Sequence, residues 1–301
     1  MSAALERPDG EVVDPHARHS RVLAAPRGGG LALGRPDGET LALREWTVEG
    51  AAPRAVVQLL HGLGEHMGRY EHLAQQLNSW GFAVRAHDHY GHGQSSGVRG
   101  GLPSTLRLID DLAAVVDETR RACPELPLIL FGHSLGGLVA SSFVARGVRP
   151  VEGLVLSSPG LDPGLDALQK MLIAVLPRVA PDLRVGNGID SNDISHDRAV
   201  VQAYRDDPLN HDRICGRLAR FLSEEGAVVQ AAAPRWQVPT LLLYAGDDKL
   251  VRPAASAAFA QAAPAGVVSA TCFDALFHEI FNELHAEPVF AALRGWLEQR
   301  F

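Results

Sequence analysis

Residues 128–137 read "LILFGHSLGG", from Leu128 to Gly137. Four apolar residues are followed by three glycines, Gly132, Gly136 and Gly137, set around the hydroxyl of Ser134. An unbroken apolar run of this kind suits a strand buried on both faces. The stretch that follows, "SLGGLVASSFVARG", reads as a helix. The pattern G-x-S-x-G is weak by itself but specific when a strand precedes it and a helix follows. Residues without a Cβ let strand and helix approach, and the sharp turn between them lifts one side chain clear of the sheet. The amide after Ser134, that of Leu135, then sits at a helix N-terminus, where it can bind an anionic oxygen. The turn predicts that Ser134 is a nucleophile. The plainer reading is a tight glycine turn with an incidental serine.

The flanking sequence repeats the alternation. "AVVQLL" from Ala55, "GFAVRAHD" from Gly81, "LPLILF" and "VEGLVLSS" read as strands, and "RYEHLAQQLNSW" and "LRLIDDLAAVVDETRRAC" as helices. The succession β-α-β-α-β-α-β implies a mostly parallel sheet covered by helices on both faces, an α/β fold. Before it, two alternating runs flank Pro36-Asp37-Gly38, a hairpin turn signal. The alternation stops at Pro159 and resumes with "VPTLLLYAG", "ASAAFAQAA", "GVVSATCF" and "PVFAALRGWLEQRF". The predicted organisation is a flexible arm over 1–30, a core over 31–158 and 237–301, and a mostly helical insertion over 159–236.

Composition narrows the function classes. The chain has 301 residues, 46% of them hydrophobic, and a formal charge of −7. A net negative chain without basic blocks argues against nucleic acid as a partner. The polar N-terminal residues show no secretory signal, and no run is long and apolar enough for a spanning helix. Three cysteines without C-x-x-C spacing give neither a disulfide framework nor a zinc site. The expectation is a cytoplasmic protein with no metal or organic cofactor. Oligomeric state is not legible in the sequence.

A serine hydroxyl needs a base. Of thirteen histidines, only His278 and His285 follow the insertion, and His278 comes just after the last strand, at the carboxyl edge where open α/β sheets collect their sites. His285, in a predicted helix before Pro288, reads as a surface residue. The acid should follow a strand between serine and histidine, and "TLLLYAGDDKLV" offers Asp247 and Asp248. Adjacent residues of an extended segment point to opposite sides, so one of the two faces His278; Asp248 is the expected one and Asp247 the fallback. "LLHGLGEHMGRY" ends another strand, and the amide of Leu63 in its turn is the expected second oxyanion donor beside Leu135. His61 there reads as a hydrogen-bonding brace of the turn.

The stretches "HGLGEHMGRYEHLA", "GFAVRAHDHYGHGQSSGVRG", "GHSLGGLVA", "LSSPGL", "GIDSNDISHDRAVVQAYRDDPL", "LLLYAGDDKLV" and "HEIFNE" together resemble the α/β-hydrolases, and within them the monoglyceride lipase and lysophospholipase branch. The resemblance runs from about Val56 to the C-terminus. It implies a serine ester hydrolase acting on single-chain lipid esters, a triad of Ser134, Asp248 and His278, oxyanion donors at Leu63 and Leu135, and a cap made by the insertion. The chain departs from the mammalian pattern at Phe281, where a second histidine would stand, and at Val251, where a cysteine would stand. Glu65 and Arg69 match residues near the polar end of the substrate pocket; as residues alone, they read equally as a surface ion pair one helical turn apart. In the insertion, "LDALQKMLIAVLPRV" puts Leu172, Val175 and Leu176 on a strongly apolar helix. It suits an acyl-chain wall with transient membrane contact, or a cap helix packed on the core. A lysophospholipase, a general carboxylesterase and a non-catalytic binding module are the rival readings.

Overall fold

The computed structural model describes residues 22–24, 31–164 and 180–301. Its centre is β6 (Leu128–His133), flanked on one side by β4 (Val56–Leu60) and on the other by β7 (Gly153–Ser157), all parallel. Beyond β4 lies β5 (Ala83–His87), and beyond β7 lie β10 (Thr240–Ala245) and β11 (Val268–Phe273), again parallel. β3 (Thr40–Trp46) and β2 (Leu31–Gly34) form the expected hairpin, and β3 pairs antiparallel to the β5 edge. Its turn closes with Gly38 at a φ of +85°, a conformation open to glycine. Val22–Ala24, inside the segment expected to be a flexible arm, adds a further antiparallel strand, β1, on β2. An edge strand's free amides and carbonyls take up a short apolar segment such as "VLA". The remainder of the expected arm lies outside the described residues.

The strands divide their side chains between two cores. Val56, Leu60, Leu128, Leu130, Leu154 and Leu156 face one; Val57, Leu59, Ile129, Phe131, Val155 and Leu243 face the other. Alternation with burial on both sides is why these strands read as continuous apolar runs. The first core is covered by α2 (Arg107–Ala122) and α3 (Leu135–Ala145), the second by α1 (Glu71–Ser79) and α7 (Glu287–Arg300). α3 is apolar all round and buried along most of its length, as befits the central helix behind the elbow.

Among its described residues, the segment after Pro159 holds two short strands as well as helices. β8 (Arg184–Gly186) and β9 (Arg213–Cys215) form a small antiparallel pair, with α4 (Arg198–Asp206) between them. Strands of three residues carry no readable period. Asp197 caps α4 by accepting the Ala199 amide at 2.8 Å. The next helix, α5 (Gly216–Ala232), packs against α3, and it passes so close to the segment after β7 that a Cβ on Gly226 would fall 1.9 Å from the Leu161 carbonyl. Glu225 of α5 is buried, paired with Arg146 and accepting from Ser142. α6 (Pro253–Ala262) completes the layer. The apolar stretch 165–179, with Leu172, Val175 and Leu176, lies outside the described residues.

Candidate active site

Ser134 stands between β6 and α3 with φ 52° and ψ −116°, a backbone that L-residues adopt at a cost and that concentrates at functional sites. Two glycines make it possible. A Cβ on Gly132 would meet the Gly136 carbonyl at 2.4 Å, and one on Gly136 would meet the Leu60 carbonyl at 2.2 Å. The turn is pinned by its own backbone: the Ser134 amide donates to Ser157 O, and its carbonyl accepts from Leu138 and Gly160, each at 3.0 Å. Leu135 begins α3 directly, so its amide carries the partial positive charge of the helix N-terminus.

β10 and β11 run parallel in register, so the loops after them emerge at the same sheet edge. One loop carries Asp248, the other His278. His278 Nδ1 donates to Asp248 Oδ2 at 2.7 Å, and both side chains are buried. The other Asp248 oxygen accepts the amides of Leu250 at 2.9 Å and Val251 at 3.0 Å. Asp247 points away, half exposed and paired with Lys249. Burial pulls the His278 pKa down, but the Asp248 carboxylate and its hydrogen bond outweigh it and hold it above the ordinary histidine value. Burial pushes Asp248 up, and the charge of His278 with the two amides brings it below the usual carboxylate range. A proton fixed on Nδ1 leaves Nε2 as the acceptor, the arrangement a general base requires. His285 is exposed, in a turn rather than a helix.

The third part is the turn after β4. Glu65 is 2% exposed; its Oε1 accepts the Gly62 amide at 2.5 Å and the Tyr70 hydroxyl at 2.6 Å, and its other oxygen pairs with Arg69. The Gly62 amide is thus engaged, and the next one, of Leu63, makes no backbone hydrogen bond among the described residues. A Cβ on Gly62 would come within 3.3 Å of the Ser134 Cβ, so this turn lies beside the elbow. His61 braces it as expected: Nδ1 donates to Gly62 O at 2.8 Å and Nε2 accepts the His89 amide at 2.9 Å.

These elements open on one cavity of about 600 Å³. Ser134, His278, Leu63, Leu135 and Glu65 line it; Arg69 stands behind it. Glu65 and Arg69 are therefore a buried pair, not a surface one. Apolar walls come from Ile189, Ile194, Ile214, Leu222, Leu250 and Val251. Sequence reasoning missed the polar lining residues Glu279, Tyr204, Asn187 and His133. Glu279 takes Arg69 in a two-pronged bond, at 2.7 and 2.8 Å. An arginine at position 69 with a single near partner was the available signal that a second carboxylate was owed. Among the described residues no group of histidines, cysteines and carboxylates is arranged to hold a metal ion.

An elbow serine, a histidine–carboxylate pair and a glycine turn, all at the carboxyl edge of a mostly parallel sheet, define a serine hydrolase on the α/β-hydrolase fold. The family described as "Serine aminopeptidase, S33" (Hydrolase_4) matches residues 51–285, and the chain belongs to it. It is 33% identical over 256 residues to a monoacylglycerol lipase of Mycolicibacterium smegmatis, covering 84% of this chain and 90% of that protein. It is likewise 33% identical over 268 residues to an uncharacterised abhydrolase domain-containing protein of Dictyostelium discoideum, spanning 88% of this chain but 28% of that longer protein. Among solved structures, the Paleococcus ferrophilus monoacylglycerol lipase superposes with a TM-score of 0.78 at 32% identity, covering 87% of this chain and 99% of that one.

Proposed function

We propose that the protein is a serine ester hydrolase that cleaves single-chain lipid esters, monoacylglycerols foremost. The observation that carries the reading is the His278–Asp248 pair at 2.7 Å, opening on the same largely apolar cavity as the elbow serine. The names of the relatives and of the structural neighbour support the substrate class.

In this reading His278 Nε2 takes the proton of Ser134 Oγ as the oxygen attacks the ester carbonyl. The Asp248 carboxylate holds the imidazole in its Nδ1–H tautomer and stabilises the imidazolium. The amides of Leu63 and Leu135 receive the oxyanion. His278 returns the proton to the departing alcohol, leaving an acyl-enzyme on Ser134. Water, deprotonated by the same histidine, then releases the fatty acid. The acyl chain takes the apolar walls, and the alcohol takes the end lined by Glu65, with Arg69 behind it.

Residues 159–236 act as a cap over this cavity, carried on α5. The cap makes transient contact with lipid surfaces, a role supported by the exposure of Leu183 and Val185 beside the cavity. No helix of the described residues is long and apolar enough to cross a membrane.

The test is hydrolysis of monoacylglycerols of graded chain length and of short p-nitrophenyl esters, by the wild type and by Ser134→Ala. A preference for long monoacylglycerols, lost by several orders of magnitude in Ser134→Ala, is the expected result. Equal turnover by both proteins would refute the reading.

A further inference from the structure

We infer that the polar end of the cavity is built to reject anionic head groups, with Glu65 and Glu279 as the residues that set this selectivity. The inference rests on the proposed lipase reading and concerns the alcohol side of the ester. Both carboxylates are buried, at 2% and 6% exposure, and both line the cavity. The one cation beside them, Arg69, does not line it. Its guanidinium is consumed by Glu65 and by both oxygens of Glu279, and its face lies 4.8 Å from the centre of the Tyr204 ring. A head group reaching this end therefore meets two carboxylates whose counter-ion is turned away from it. Asp248 adds a third negative charge behind a neutral His278, and protonation of His278 during turnover still leaves the end net negative. Lys249 lines the cavity elsewhere, but its charge is balanced by Asp247. The Arg69–Glu279 bond also favours the ionised carboxylate: burial raises its pKa, and Arg69 brings it down to about 2. An uncharged polyol can donate its hydroxyls to these oxygens. A phosphate dianion has no proton of its own to donate and meets repulsion from both carboxylates.

The experiment compares four decanoyl esters as monomers at pH 8 and constant salt: those of glycerol, glycerol phosphate, glycerol dimethyl phosphate and choline. The dimethyl phosphate is matched in size to the phosphate but uncharged, and choline is cationic. For the wild type, kcat/KM on the glycerol phosphate ester is expected to fall on the order of a hundredfold below the dimethyl phosphate ester, with choline not disfavoured by its charge. Glu279→Gln and Glu65→Gln keep an acceptor oxygen and remove one charge, and each should narrow that gap about tenfold. The wild-type comparison stands by itself if either variant fails to fold. Equal rejection of the charged and the methylated phosphate would make size the cause and overturn the inference while leaving the lipase reading intact. Hydrolysis of both within about threefold would do the same. No hydrolysis of any of the four would overturn the lipase reading and this one with it.

Discussion

Acidification should unfold this protein well before its carboxylates are fully protonated, because several histidines are buried in the neutral form. His61, His87, His89 and His92 pack around the strand ends β4 and β5, with neighbouring ring centroids 4.3–6.1 Å apart, and His133 sits under the elbow. Burial brings His87 to about 4, with Arg35 assisting, His89 to about 3, with His87 assisting, and His133 to about 3, with His278 assisting. The ordinary value is 6.5. Between these values the unfolded chain binds more protons than the folded one. The stability is therefore fully present above pH 6.5 and drains away as the pH falls toward the folded values. From pH 7 to pH 5 each of the three costs about 2 kcal/mol, roughly 5 to 6 kcal/mol together. Asp111, pushed up by burial to about 6, is protonated in the folded state first and returns about 1 to 2 kcal/mol over the same interval. His278 and Asp88, both raised, act in Asp111's direction, while His61 and His92 add to the loss: burial holds both well below the ordinary value, assisted by His89 at His61 and by His211 and His89 at His92. The three histidines and Asp111 alone give a fall of roughly 4 kcal/mol, a large share of the 5–15 kcal/mol that holds a typical domain. Urea unfolding followed by tryptophan fluorescence at pH 7, 6 and 5, at fixed ionic strength, measures it. A free energy of unfolding that changes by less than about 1 kcal/mol from pH 7 to pH 5 would refute the reasoning.

Asp248→Asn should lower kcat by about four orders of magnitude, since the amide favours the wrong imidazole tautomer, whereas Asp247→Asn should leave it within a few-fold; steady-state kinetics separates them, and matching losses would dissolve the assignment. The acid limb of the kcat/KM profile should have its midpoint above 6.5, because His278 is held above that value, and activity is gained as the pH rises through it. Glu279→Gln should move that limb downward, since the Glu279 charge contributes to holding His278 up; an unmoved limb counts against contact between the two. Gly136→Ala would put a methyl 2.2 Å from the Leu60 carbonyl and should cost about 3 kcal/mol or more. Gly295→Ala, in α7 with open space around it, should instead stabilise by about 0.5–1 kcal/mol. Thermal melts of the pair check both signs.

What the sequence made legible was local. "LILFGHSLGG" carries the strand, the elbow and the helix within one short stretch, so period and glycine placement suffice. The histidine and the acid followed from chain order along a parallel sheet. Choosing Asp248 over Asp247 needed the family pattern, because the physical discriminator is Lys249 drawing one carboxylate outward while two amides hold the other inward. Glu279 escaped because its partner Arg69 is 210 positions away in the chain, and no periodicity registers a contact of that kind. The histidines of "HDHYGHG" are buried and packed on one another, which the sequence does not announce, since polar residue types in a turn-rich stretch give no sign of burial. β8 and β9 escaped for want of length, and β1 because its pairing depends on an edge that the segment itself does not encode.

The Glu65–Arg69–Glu279 cluster also explains how two distant segments stay in register around one serine. Glu65 grips the Gly62 amide at the turn beside the elbow, and Glu279 is the residue after His278. Arg69 bridges them, so the amide turn and the histidine loop share a single rigid connection. A buried ion cluster is a poor source of stability, because desolvating its charges offsets most of their attraction. Its value here is positional. Catalysis by preformed donors depends on holding the amide and the imidazole at a fixed separation while charge develops between them. A hydrophobic contact would tolerate sliding at this junction; a two-pronged arginine bond has one geometry. The same consumption of Arg69 that fixes the geometry leaves the polar end negatively charged, so the positioning of the chemistry and the selectivity for the head group follow from a single arrangement.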